Sequence, residues 1–83
     1  MNTLFALLAI YGGVNIPLDQ CCEAFFALSP KKAAEAANRQ ALPIPAYRLG
    51  SQKSQWFLDA KTLADYIDRK KAEAVQEWLS VRS

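Results

Sequence analysis

The chain has 83 residues, a formal charge of +2, no histidine, two cysteines and 52% hydrophobic residues. A chain of this size makes one domain that buries about 60% of the surface its unfolded form exposes, with little room for both a core and a deep substrate pocket. Without imidazole there is no triad histidine, no histidine metal ligand and no general base poised near neutrality, which argues against most enzyme classes.

The charge is unevenly placed. Residues 1–30 carry Asp19 and Glu23 and no base, a sum of −2, whereas residues 31–58 carry Lys31, Lys32, Arg39, Arg48 and Lys53 against Glu35, a sum of +4. From 59 onward five bases and five acids cancel. A surface for a polyanion is therefore expected in the middle third. Cys21 and Cys22 are adjacent, which suits neither a disulfide framework nor a zinc site. They read as two small apolar side chains on a helix, one of them buried, in a reducing, cytoplasmic setting.

In chain order, Asn2 to Tyr11 opens with a candidate cap at Asn2 or Thr3, places Leu4, Leu7, Leu8 and Tyr11 at helical spacing, and stops at Gly12. This apolar run lacks a basic flank and a cleavage site, so neither a membrane span nor a signal peptide is expected. Val14 to Pro17 is extended, because the residue before a proline is pushed out of the α region. A second helix runs from Leu18 to about Ala27. Ser29-Pro30 then supplies a cap and a first helical residue with preset φ, starting a third helix over about Pro30 to Gln40. Two helices joined by so short a turn form a helix-turn-helix, residues 18–41.

At 100° per residue, Ala33, Ala37 and Ala41 fall on one side of the third helix with Ala34 at its edge. Lys31, Lys32, Glu35, Ala36, Asn38 and Arg39 fall on the other. The small face suits close docking. The polar face offers lysines for phosphate, an arginine that can grip guanine, an asparagine that can pair with adenine and a methyl for thymine. A solvated charged face is the bland alternative at this point.

Leu42-Pro43-Ile44-Pro45 cannot be helical. Ala46 to Leu49 and Gln55 to Leu58 read as two strands around Gly50 to Ser54, a wing over residues 45–58 with a polar, basic tip. Arg48, Ser51, Gln52 and Lys53 on it suit a sugar-phosphate backbone or a minor groove. Asp59 caps a last helix, residues 59–81, whose length of roughly 33 Å exceeds what so small a body needs. Its half through Ile67 covers the wing and the helix-turn-helix. The remainder, with Trp78 and Leu79, is expected to pack on Leu4, Leu7, Leu8 and Tyr11, self-association being the alternative.

The order helix, helix, turn, helix, hairpin, helix gives the expected fold: mainly α with a small β-hairpin, a winged helix-turn-helix of MerR/excisionase-like type with a long C-terminal helix. Met1-Asn2-Thr3, Tyr11-Gly12-Gly13, Ile16-Pro17-Leu18, Phe26 with Ser29-Pro30, Leu42-Pro43, Arg48, Gly50-Ser51-Gln52-Lys53 and Leu63-Ala64-Asp65-Tyr66-Ile67-Asp68 resemble the pyocin activator protein PrtN family over residues 1 to about 71. That resemblance implies a small bacterial or prophage regulator that binds double-stranded DNA and activates bacteriocin or phage genes. A weaker likeness of residues 42–67, carried by Pro43, Pro45, Gly50 and Trp56, is to the AlpA and excisionase group, which implies prophage activation or direction of an integrase toward excision. The Ser51-Gln52-Lys53-Ser54 tip departs from that group's arginine-rich wing, and the two readings stay open.

The DNA-facing residues expected are thus Lys31, Lys32, Asn38 and Arg39 on the third helix and Arg48, Ser51, Gln52 and Lys53 on the wing. A dimer or tandem copies on repeated half-sites are expected, because one such module makes few contacts. A protein-interaction module whose last helix binds an integrase or RNA polymerase is the rival reading. No catalytic residue, metal, cofactor or small-molecule substrate is expected: Asp65 and Asp68 pair more simply with Lys61, Arg69 and Lys71 along the helix.

Overall fold

A computed structural model describes residues 2–50 and 55–82. Four helices and three strands follow in the order α1 (Thr3–Tyr11), β1 (Asn15–Pro17), α2 (Leu18–Phe26), α3 (Pro30–Asn38), β2 (Tyr47–Arg48), β3 (Trp56–Asp59) and α4 (Ala60–Arg82). This is a winged-helix-like arrangement: mostly helical, with a small antiparallel sheet and a long C-terminal helix.

The end signals act where the sequence puts them. Asn2 Oδ1 accepts from the Leu4 N–H at 2.7 Å, and Gly12, at φ 80°, closes α1 by donating its N–H to Leu8 O at 2.9 Å. Ser29 Oγ accepts from Lys32 N–H at 3.3 Å ahead of Pro30. Asp59 Oδ2 accepts from both the N–H and the hydroxyl of Thr62, at 3.0 and 3.2 Å, and so fixes where β3 becomes α4. Caps of this kind are worth about 1 kcal/mol each.

The extended stretch before α2 does more than expected. It is a strand, and it pairs antiparallel with β3 through Asn15↔Asp59, Ile16↔Leu58 and Pro17↔Phe57. β2 pairs with the other edge of β3, so the sheet has the order β1-β3-β2. Ile16 and Leu58 are cross-strand partners and both are fully buried, joined there by Leu63, Cys21 and Cys22. Both cysteines are buried, where one was expected. As neighbours on α2 they share the wide core-facing side between sheet and α3.

Two further expectations are corrected. α3 ends at Asn38, and Gln40 at φ 55° turns the chain so that Ala41 N–H reaches Ala36 O at 2.8 Å. Ala41 therefore lies outside the helix and is exposed, while Ala36, 7% exposed, joins Ala33 and Ala37 on the buried face. In α4 the body-packed part ends early. α1 lies along α4 between an Ala60 N–H to Val14 O bond of 2.8 Å and a Thr3 Oγ1 to Asp68 Oδ1 bond of 2.6 Å. Nine residues span only about 14 Å against roughly 34 Å for the 23 of α4. So α1 packs on the proximal half, and described residues from Asp68 to Val81 are exposed. The distal half gives the molecule its 51 Å long axis.

Candidate nucleic-acid interface

α2 and α3 are joined through Ala27, Leu28 and Ser29, with Ala27 N–H closing α2 on Cys22 O and Ser29 opening α3. Burial of Ala33, Ala36 and Ala37 fixes the rotation of α3 about its axis. Small residues there allow close helix contact, and Lys31, Lys32, Glu35 and Asn38 are left exposed, with Arg39 exposed at the C-cap. Three bases against one acid give this face a charge of +2.

The wing meets α3 at its C-terminal end. Arg48 on β2 faces Trp56 on β3 across the hairpin. Its guanidinium carbon sits 4.2 Å from the Trp56 ring centroid, and its Nη2 donates to Asn38 Oδ1 at 3.4 Å. The stack shields Arg48 Nε and Trp56 Nε1, which have no hydrogen-bond partner among the described residues. Cation–π attraction of a partly desolvated pair contributes about 1 to 2 kcal/mol toward this geometry. Gln55 Nε2 donates to Asp19 Oδ1 on α2 at 2.5 Å and Tyr47 OH to Asn15 Oδ1 on β1 at 2.6 Å, so the wing is tied to both elements. Burial, and then the charge of Asp59, push the Tyr47 phenol above its usual range, which keeps it a hydrogen-bond donor.

Of the eight residues singled out from sequence, Lys31, Lys32, Asn38, Arg39 and Arg48 lie on or beside one face. Ser51, Gln52 and Lys53 lie outside the described residues. Residues 3–74 match the family of the pyocin activator protein PrtN. The chain belongs to that family. PrtN proteins are regulatory activators rather than a known enzyme family, so at family level this chain is a pyocin- or prophage-associated activator. No curated protein and no solved structure matches the chain.

The PrtN match contains the whole of α3 and the wing and ends within α4, so Val75, Trp78 and Leu79 fall beyond it. Two groups on the face had no role assigned from sequence. Trp56 is the platform under Arg48; its place was readable, since strands at 46–49 and 55–58 in hairpin register set Arg48 opposite Trp56. Glu35, exposed among the bases, is a carboxylate able to accept from cytosine N4 and unfavourable beside phosphate. Among the described residues no group of three or more cysteine, aspartate or glutamate side chains could hold a metal ion. No helix among them is long and apolar enough to cross a membrane.

Proposed function

We propose that this PrtN-family activator works by sequence-specific binding of double-stranded DNA, with α3 in the major groove and the wing on the adjoining backbone or minor groove. The observation that carries the reading is the Asn38–Arg48 contact, which couples the reading end of α3 to the wing. Asn38 Oδ1 has two acceptor sites, so it can hold Arg48 and still accept from adenine N6 while its amide donates to N7. Arg48 then serves as a positioning residue, setting the amide plane of Asn38. Arg39, at the end of the helix, supplies the planar fork that fits guanine O6 and N7. Lys31 and Lys32 neutralise phosphate at the other end, and Ser51, Gln52 and Lys53 have the chemistry of further backbone contacts. Such contacts position the helix; the base contacts specify.

The test is a titration of the full chain against labelled duplexes tiled across its own genomic neighbourhood, followed by footprinting on the tightest. The expected result is one or more protected boxes, with log affinity falling against log salt at a slope of about −3 to −4. Equal, weak binding to every duplex and early elution from heparin at moderate salt would overturn the proposal and favour a protein-binding module.

A further inference from the structure

The distal half of α4 repeats the spacing of its proximal half. Ala60, Ala64 and Ile67 lie on the side of α4 that meets the body, with Ala60 and Ala64 buried and Ile67 packed against the core. The same alternation of four and three residues continues through Lys71, Ala74, Trp78 and Val81, which makes one unbroken heptad stripe with Val75 on its flank. Beyond Ile67 this stripe is exposed: Val75 is 53%, Trp78 56% and Val81 85% accessible. Beside it runs an apolar groove of about 480 Å³, walled by Phe25 and Tyr66 and floored by Ile67, Lys70, Lys71 and Ala74.

We infer that this stripe is a self-association surface, and that two copies pair their distal α4 helices antiparallel. The order of charges decides the direction. Lys70 and Glu77 occupy the same flank of the stripe one heptad apart. Parallel copies would stack Lys71 on Lys71 within the seam, whereas antiparallel copies set Lys71 against Ala74 and Lys70 against Glu77 twice. The same antiparallel register lays Trp78 of each copy over Ile67 of the other, at the mouth of the apolar groove, and Ala74 against the Lys71 stem. The large side chain thus meets the groove and the small one meets the long aliphatic chain. Such an interface is isologous and closes at two copies, as a two-fold contact requires. Two heptads bury less than a standard interface, so dimerisation is expected to be concentration dependent rather than obligate.

This inference is independent of DNA binding and is tested without DNA. Sedimentation equilibrium of the full chain should show the mass rising from 9.2 kDa toward twice that value between low and high micromolar concentration. Trp78→Ala, at an exposed position, should leave the far-ultraviolet circular dichroism nearly unchanged and weaken dimerisation at least tenfold. Lys70→Glu and Glu77→Lys should each be monomeric alone and form a one-to-one heterodimer when mixed, because the mixture restores both opposite-charge pairs. A wild-type chain that stays monomeric to its solubility limit, or a dimer indifferent to Trp78→Ala, overturns the surface. A wild-type dimer whose two charge variants do not recombine overturns the antiparallel pairing.

Discussion

The guanidinium carbon of Arg48 lies over the Trp56 ring, 4.2 Å from its centroid, on adjacent strands of the wing. Each residue limits the other. The ring removes one side of the guanidinium from water, and the guanidinium covers the indole, leaving Nη2 directed at Asn38 on α3. The rotamer of an arginine is costly to fix, with about 2 kcal/mol of side-chain entropy, and stacking offsets part of that cost before any ligand arrives. The wing base is thereby pre-organised against α3.

Arg48→Lys keeps the charge and loses the planar fork. The ammonium can contact phosphate but cannot stack and orient Asn38 together. Specific affinity is expected to fall by about 1 kcal/mol, while affinity for scrambled duplex and the salt slope stay close to wild type. Trp56→Leu should reproduce the loss of specificity with Arg48 intact. Fluorescence anisotropy on cognate and scrambled DNA checks both, and a matching loss on the two duplexes would mean that Arg48 acts only as a charge.

Arg39→Ala and Lys32→Ala should separate reading from positioning. Arg39 stands at the C-cap, at the end of α3 nearest Asn38, and its removal should cost about 1 to 3 kcal/mol on cognate DNA with little change on random sequence. Lys32, in the first turn, should weaken both alike and make the salt slope shallower by about one. Titrations at four salt concentrations distinguish the two patterns, and interchanged patterns would reverse the orientation of α3 in the groove.

Much of this geometry was legible because it is local. Ser29-Pro30, Gly12 and Asp59 act on backbone groups within a few residues, and β2 and β3 lie close together in the chain. The rotation of α3 was less legible, since in a helix of mostly alanine and charge the hydrophobic contrast is too low to separate Ala36 from the outer face. The sequence around β1 predicts an extended stretch but not a strand, because three residues gain sheet pairing only from β3, forty or more positions away. The distal half of α4 announced an apolar stripe, but a stripe carries no information about what covers it. Apolar spacing alone matches it to α1, but a helix of nine residues is too short to cover the far end of one of 23.

Cys21 gives the protein a base-sensitive core. Its thiol is fully buried, and burial first, then the charges of Cys22 and Asp19, push its pKa up from 9.0 to about 11. Above pH 9 the unfolded chain releases this proton before the folded one does, so the folded state binds more protons and stability falls as pH rises toward 11. Below pH 9 the group is protonated in both states and contributes no slope. The loss by pH 11 is about 2 kcal/mol. Urea midpoints for wild type and Cys21→Ala should therefore converge between pH 8 and 10.5, and parallel curves would show that the thiol does not drive the slope.

Ala27 holds the turn between α2 and α3 in a conformation that suits another residue. It sits at φ 56° and ψ 34°, left-handed, while its N–H and that of Leu28 both reach Cys22 O. A Cβ in this region costs about 1 to 2 kcal/mol, and the extra freedom of glycine in the unfolded chain costs about 0.5 to 1 kcal/mol in return. Ala27→Gly should thus stabilise the protein by about 0.5 to 1 kcal/mol, raising the melting temperature by a few degrees. Because the turn keeps its shape, α3 keeps its pose and DNA affinity should not change. Ala24→Gly is the matched control, an exposed alanine inside α2 where helical φ makes glycine unfavourable by about 1 kcal/mol. Calorimetric melting of the two variants should give shifts of opposite sign, and a destabilised Ala27→Gly would show that the turn is not left-handed in solution.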